Sequence, residues 1–70
     1  MTLREYDVVR LQRPLPQHGL PIGAIGTVVM VYVDPPGYEV EFCDQKGITL
    51  ALVSLSERES DGLIEVCDSP

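Results

Sequence analysis

Glycines and prolines divide this chain into short apolar runs. The spacing of these two residue types restricts the fold more than any other feature of the sequence. The runs are rich in Val, Ile and aromatic residues, so they favour strands and leave little room for a long helix. Two polar turn sequences, Asp34-Pro35-Pro36-Gly37 and Asp44-Gln45-Lys46-Gly47, separate the three central runs. They predict that these runs form an antiparallel meander.

Five strands are predicted in all, with one helical turn before the last of them. Ser56 lies three residues before Glu59, which is the spacing of a helix N-terminal capping pair. The segment around this pair is too short for a stable helix, so we expect a single 3₁₀ or α turn there. The predicted strands are residues 6–11, 24–33, 38–42, 48–54 and 63–66.

The chain length allows one domain with one small core. A folded chain of 70 residues buries only about 60% of the surface that it exposes when unfolded. Loop residues must therefore help to cover the core. The proline-rich loop at residues 13–23 is stiffened by three prolines, and we expect its Leu15, Leu20 and Ile22 to pack against the sheet.

The expected fold is all-β: a small SH3-like five-stranded barrel with one short helical turn before the last strand. Closing the sheet in this way removes exposed edges, which small β domains must protect. A single domain covers residues 1–70, and we expect residues 1–3 and 67–70 to be flexible. The alternative is an open antiparallel sheet that completes itself by forming a homodimer.

The second predicted strand is apolar on both faces. Gly26 lies within it, and a glycine inside a strand commonly marks a bend, a bulge or a close backbone approach. One apolar face must stay partly exposed unless the long loop or another chain covers it. Simple alternation places Val29, Val31 and Val33 on one face and Val28, Met30 and Tyr32 on the other, and a bulge near Gly26 would shift this phase.

The third predicted strand alternates apolar and acidic residues, so it is half buried. Its apolar residues share the core face, whereas Glu39 and Glu41 share the other face, which Asp44 extends in the next turn. Such a row of carboxylates can contact Arg or Lys side chains of a protein partner. An outward valine of the second strand, Val29 or Val31, is the alternative contact.

Catalytic, cofactor and metal sites lack their usual sequence signatures. Cys43 and Cys67 form no CxxC motif, so two reduced thiols are expected rather than a disulfide framework or a zinc site. His18 is the only histidine, and the chain has no glycine-rich phosphate loop with a lysine. We therefore predict a protein that is not an enzyme and that uses no cofactor or metal.

Five stretches of the chain together form a specific pattern: Glu5-Tyr6-Asp7-Val8-Val9-Arg10-Leu11, Pro14-Leu15-Pro16, His18-Gly19-Leu20-Pro21, Gly23-Ala24-Ile25-Gly26-Thr27-Val28-Val29 and Tyr38-Glu39-Val40-Glu41-Phe42. In this pattern the chain resembles a family of small bacterial proteins of unknown function that is common in cyanobacteria. The similarity extends from about residue 3 to residue 66. The resemblance implies an SH3-like β fold and genes that sit beside others in toxin-like pairs, and it assigns no catalytic or binding residue.

Two shorter segments resemble other small barrels. Residues 23–28 are similar to the glycine-centred strand of ribosomal and transcription-factor barrels that bind RNA, but those modules carry basic loops and this chain is acidic. Residues 3–7 resemble the opening of peptide-binding SH3 domains, whose grooves dock polyproline helices on clustered aromatic residues. This chain has no Trp, three Tyr and one Phe, which is a weak basis for such a groove.

The charge balance separates the remaining functional hypotheses. Eleven acidic and five basic residues give a net charge of −6, which disfavours nucleic acids and anionic membranes as partners. We therefore predict an acidic protein-interaction module that binds a basic protein, as an antitoxin, inhibitor or accessory subunit would. A nucleic-acid-associated barrel is the alternative. The chain has no apolar leader and no run near the roughly 18 apolar residues of a membrane span, so we expect it in the cytoplasm.

The acidic balance gives a negative prediction for nucleic acids. At about 150 mM salt, duplex DNA and single-stranded RNA should bind no more tightly than the ~10⁻⁴ to 10⁻⁶ M that is typical of nonspecific binding. Fluorescence anisotropy with labelled oligonucleotides measures this. Tighter binding that weakens in the double variant Arg10→Ala/Arg13→Ala would contradict the prediction, because it would place the contact on the basic residues around the first loop.

Overall fold

A computed structural model describes residues 2–67. Within this range the chain forms five strands, one turn of 3₁₀ helix and one short α-helix. The predicted all-β class, with five strands and a helical turn before the last one, is therefore confirmed. In chain order the elements are β1 (Val8–Leu11), the 3₁₀ turn (Pro16–His18), β2 (Ile25–Val33), β3 (Pro36–Cys43), β4 (Thr49–Ser56), α1 (Glu57–Ser60) and β5 (Ile64–Val66).

All five strands belong to one antiparallel sheet in the order β4-β3-β2-β1-β5. Strands β2, β3 and β4 form the predicted meander. Strand β1 pairs with β2 on one side and with β5 on the other, so Val9 lies between Gly26 and Val66. Across residues 2–67 no ladder joins β4 to β5, and these two strands are the edges of the sheet.

The core lies on one face of this sheet. Phe42 is the largest of its fully buried side chains, and the short helix adds Ser60, whose hydroxyl donates to the carbonyl of Glu57 at 2.7 Å. Each strand contributes at least one apolar side chain to this core. Its members are Leu3, Val9, Leu11, Leu15, Leu20, Val28, Tyr38, Val40, Phe42, Val53, Leu55 and Ile64.

The long first loop covers part of the core, as predicted, but with two of the three expected residues. Leu15 and Leu20 are buried and face each other in an isolated antiparallel bridge around the 3₁₀ turn. The expectation for Ile22 was wrong, because its side chain is 65% exposed. Ile22 lies in a tight turn that is closed by a hydrogen bond from the amide of Ala24 to the carbonyl of Pro21 at 3.2 Å.

The described chain is attached to the sheet at both ends. The amide of Leu3 donates to the buried hydroxyl of Tyr38 at 3.2 Å, and the Leu3 side chain is part of the core. At the other end the amide of Cys67 donates to the carbonyl of Val8 at 2.8 Å. Of the ends that we expected to be flexible, residue 1 and residues 68–70 lie outside the described range.

Gly26 serves a close approach between β2 and β3. It faces Phe42 across the ladder, and a Cβ atom at Gly26 would lie only 2.8 Å from Cδ1 of Phe42 and 2.8 Å from Cγ1 of Val40. Carbon atoms in contact are normally about 3.5 to 4.0 Å apart. The missing side chain therefore lets the Phe42 ring lie against the backbone of β2.

A β-bulge changes the phase of β2 after Val28. Val28 pairs with Val40 on the core face, whereas Met30 pairs with Glu39 on the opposite face, and Val29 is the extra residue between them. The simple alternation that placed Val28 and Met30 on one face was therefore wrong. Because of the bulge, Val31 pairs with Tyr38 on the core side of the sheet.

The turns and the cap follow the local sequence signals. The β2–β3 hairpin has Asp34 and Pro35 at its tip, joined by a cis peptide bond. The turn is shorter than the predicted residues 34–37, because Pro36 and Gly37 already pair with β2 as the first residues of β3. The capping pair at α1 is reciprocal: the amide of Glu59 donates to the hydroxyl of Ser56 at 3.0 Å, and the amide of Ser56 donates to the carboxylate of Glu59 at 2.9 Å. The predicted cap is confirmed.

The close approach at Gly26 gives a stability prediction. Gly26→Ala should lower the free energy of unfolding by about 1 to 3 kcal/mol, because the new methyl group overlaps the buried ring of Phe42. In the double variant Gly26→Ala/Phe42→Leu the loss should be smaller than the sum of the two single losses, since the smaller side chain gives room. Urea unfolding followed by circular dichroism measures all three variants.

Gly47→Ala is the matched control. Gly47 has a positive φ of 82° but nothing within 4 Å of its missing Cβ atom, so its substitution costs backbone strain without overlap. Its effect should add to that of Phe42→Leu. Additive losses for the Gly26→Ala/Phe42→Leu pair as well would show that the two residues do not interact.

Candidate interaction surface

The sheet face opposite the core carries the two acidic residues of β3. Glu39 lies between Met30 of β2 and Ser54 of β4, and Glu41 lies between Thr27 of β2 and Leu52 of β4. Val40 between them is fully buried, so the period-two alternation of β3 directs both carboxylates away from the core. We call this side of the sheet the outer face.

Two hydroxyl groups of β4 hold these carboxylates. Thr49 donates from Oγ1 to Oε2 of Glu41 at 2.7 Å, and Ser54 donates from Oγ to Oε1 of Glu39. Both donors belong to the same edge strand, so both carboxylates are held toward β4 rather than toward β1. Each carboxylate keeps a second oxygen for a basic group from outside.

Large apolar side chains surround the acidic pair. Leu52 is 57% exposed beside Glu41, and Met30 is 47% exposed beside Glu39. Leu50 lines a shallow depression of about 570 Å³ together with Thr27 and Glu41. The outer face is therefore mixed, with negative charge at its centre and apolar groups around it. Its exposed apolar residues are Val8, Ile25, Met30, Tyr32, Leu50 and Leu52.

The structure does not place Val29 and Val31 on this face. Val29 is the half-buried extra residue of the bulge, and Val31 lies on the core side, opposite Tyr38, with 37% of its surface exposed. The exposed leucines of β4 were missed by sequence reasoning. Leu50 and Leu52 alternate with Ala51 and Val53, and this alternation could have predicted a strand with one exposed face. The position of the strand at the edge of the sheet could not be predicted from the sequence.

Asp44 belongs to the β3–β4 turn rather than to the acidic pair. Its Oδ1 atom accepts hydrogen bonds from the amide of Lys46 at 2.8 Å and from the amide of Ile48 at 2.9 Å. Its own amide donates to the carbonyl of Ile48 at 2.9 Å. The carboxylate thus replaces main-chain acceptors that the turn lacks, as Asp often does in such turns.

The remaining chemical groups are scattered. Among residues 2–67 no three His, Cys, Asp or Glu side chains lie close enough together to hold a metal ion. Cys43 and Cys67 are free, half-buried thiols. His18 is exposed at the end of the 3₁₀ turn. None of the helices in the described part of the chain is long and apolar enough to cross a membrane.

Comparison with known protein families finds a match over most of the chain. A domain of unknown function, DUF4926, matches residues 5–59, which is more than half of the chain. The chain belongs to this family. The match confirms the resemblance to a family of unknown function, and it covers β1 to β4 but not β5. No curated protein and no solved structure matches this DUF4926 chain.

The different roles of the three acidic residues give a prediction. Asp44→Ala should destabilise the fold by about 1 to 2 kcal/mol, because two main-chain amides in the turn lose a charged acceptor. Glu39→Lys with Glu41→Lys should change the stability by less than about 1 kcal/mol, because the two hydrogen bonds that are lost lie at the surface, where water replaces the missing partner. Thermal unfolding measures both, with Gln45→Ala as a control in the same turn. Equal losses in the two cases would show that the acidic pair is as structural as Asp44.

Proposed function

We propose that this protein is a non-enzymatic interaction module that binds a basic protein through its outer face. The observation that carries the proposal is the pair of half-buried carboxylates that β3 directs to the outer face, surrounded by exposed apolar side chains. Apolar groups supply most of the affinity of a protein interface, whereas charges around them steer the approach and select the partner. The outer face offers both.

The carboxylates are suited to receive Arg or Lys. Because Thr49 and Ser54 already hold Glu41 and Glu39, these side chains lose little rotamer entropy when a partner binds. The net charge of −6 adds a long-range attraction for a basic protein. The partner would be a basic protein that this protein inhibits, or a basic subunit of the same complex. An acidic partner fits the surface less well, because like charges repel each other.

The finer fold and setting are part of the same proposal. The long loop after β1, the β2–β4 meander, the helical turn before β5 and the pairing of β5 with β1 support an SH3-like arrangement of the strands. In the described residues this sheet is not closed, because β4 and β5 remain its two edges. The family resemblance supports a small cytoplasmic bacterial protein encoded beside its partner, as an antitoxin is beside a toxin. The first partner to test is therefore the product of the neighbouring gene.

A nucleic-acid function has less support. It would depend on Arg10, Arg13 and His18 around the first loop. Arg13 donates from Nη2 to the carbonyl of Gly62 at 3.5 Å, which directs its guanidinium toward the turn before β5. Arg10 lies on the outer face between Ile25 and Glu65, so an acidic residue is its direct neighbour in the sheet.

Charge reversal on the outer face tests the proposal. The neighbouring gene product is produced together with this protein, and the rate of association of the purified pair is measured by surface plasmon resonance at several salt concentrations. Glu39→Lys/Glu41→Lys should slow association about tenfold or more at low salt and should flatten the salt dependence. Glu5→Lys/Asp61→Lys is the control, because it changes the net charge equally at exposed positions in turns.

Three outcomes are informative. Equal slowing by both double variants would mean that net charge matters but the outer face does not. An unchanged rate in Glu39→Lys/Glu41→Lys, with loss of the complex in Leu52→Asp, would assign the contact to the apolar residues alone. An unchanged affinity in all variants would contradict the proposed surface. Circular dichroism confirms that each variant is folded.

A further inference from the structure

Strand β4 has an unprotected edge. It runs for eight residues at one side of the sheet, from Thr49 to Ser56, and no other strand pairs with its outer side in the described residues. Natural edge strands are usually kept short or carry Lys, Pro or inward charges, because their free N–H and C=O groups can pair with another chain. The sequence TLALVSLS contains no charge and no proline. The strand therefore has none of these protective residues.

The charges nearest to this edge come from the neighbouring strand. Glu39 and Glu41 are held by Ser54 and Thr49, so their carboxylates stand over β4, about one strand spacing from the free edge. Strands pair at a spacing of about 4.8 Å, and the side chains of Arg and Lys are long enough to cross it. A basic side chain on an added strand can therefore reach these carboxylates.

We infer that β4 accepts an extended segment of the basic partner as a sixth strand of the sheet. The inference rests on the proposed function and specifies how the partner binds. The main chain of the segment pairs with the free edge of β4, which is the mode of strand addition used in peptide recognition. Arg or Lys at alternate positions of the segment points to the outer face and meets Glu39 and Glu41, and the residues between them face the core side.

The spacing of the charges matches this arrangement. Glu39 and Glu41 are two residues apart on one strand, so they are separated by roughly 6.5 to 7 Å along the sheet. Basic residues at positions i and i+2 of the added segment have the same spacing, because every strand repeats with the same period. Leu52 lies between the added strand and Glu41, and it gives the aliphatic stem of a long basic side chain an apolar surface to lie on.

A second copy of this chain is a poorer occupant of the edge. Residues 49–56 contain no Lys or Arg, so a β4 edge from another copy would bring no positive charge to the acidic pair. It would instead bring two more carboxylates to the same side of the joined sheet, in a protein whose net charge is already −6. Charge complementarity therefore favours a basic segment.

A designed peptide tests the edge directly. The probe is a peptide of four Arg-Thr repeats with blocked ends, and its control is the same peptide with every amide nitrogen methylated. Methylation keeps the charges but removes the main-chain donors that a ladder needs. The unmethylated probe should bind at least tenfold more tightly, and in hydrogen-exchange NMR it should slow the exchange of outward-facing β4 amides at least tenfold.

Two charge-matched variants add a test within the protein. Leu52→Lys places a positive charge beside the free edge and should weaken the probe at least tenfold, since it opposes the basic residues and competes for Glu41. Glu65→Gln makes the same change of net charge on the outer face of β5, the opposite edge of the sheet, and should weaken it less than threefold. Both positions are exposed, so both variants are expected to fold, which circular dichroism checks.

The outcomes separate the inference from the proposed function. Equal binding of the methylated peptide, or binding without slower exchange in β4, overturns strand addition and leaves an acidic surface for basic partners. A free protein that is dimeric by sedimentation, with slowly exchanging β4 amides, assigns the edge to a second copy and also overturns it. No binding of either peptide at millimolar concentration overturns strand addition. The proposed function itself fails only in the charge-reversal experiment with the gene-neighbour protein.

Discussion

The contact between Phe42 and Gly26 is the constraint on which the rest of this structure depends. Phe42 is the largest fully buried side chain, and it can lie against β2 because Gly26 has no side chain. A chain of this size has few apolar residues to spare, so one large ring at the centre of the sheet fills space that several smaller side chains would otherwise have to fill. Strands β2 and β3 are held together at this point.

The direction of the acidic pair follows from the same contact. Phe42 and Val40 both point to the core. Because side chains alternate along a strand, Glu39 and Glu41 must point to the outer face. A shift of one residue in the pairing of β3 would bury both carboxylates, which is energetically forbidding for uncompensated charges. The packing of one aromatic ring thereby fixes the position of the surface that we propose for binding.

Local signals explain how much of this could be predicted from the sequence. The turn at Asp34 and Pro35, the capping pair Ser56 and Glu59, and the alternation of β3 each depend on residues a few positions apart, and each was predicted correctly. Gly26 indicated that a bulge could shift the phase of β2, but the position of the bulge at Val29 was not predicted, because it depends on how β2 fits a neighbour that lies farther along the chain. Alternation alone therefore misplaced the second half of β2.

Part of the candidate surface could also be predicted from the sequence, and part of it could not. Glu39 and Glu41 were correctly placed together on the face opposite the core, since the period of a strand is enough to show it. The role of Asp44 in its turn, the hydroxyl donors on β4 and the exposure of Leu52 depend on which strands are neighbours. Strand order is a property of the whole fold, and no short stretch of sequence contains it.

The pairing of β5 with β1 has a consequence for the order of assembly. Val9 and Val66 lie near opposite ends of the described chain, so their ladder closes the longest loop in the fold, whereas the β2–β4 meander closes through short turns. We expect the meander to form first and β1 to gain its second neighbour last, which pulse-labelled hydrogen exchange during refolding would detect. During synthesis on a ribosome, the outer edge of β1 stays uncovered until β5 has been made. In that interval the free edges of the sheet belong to β4 and β1, whereas in the folded protein they belong to β4 and β5. The unpaired side of β1 is then open to other chains, chaperones included.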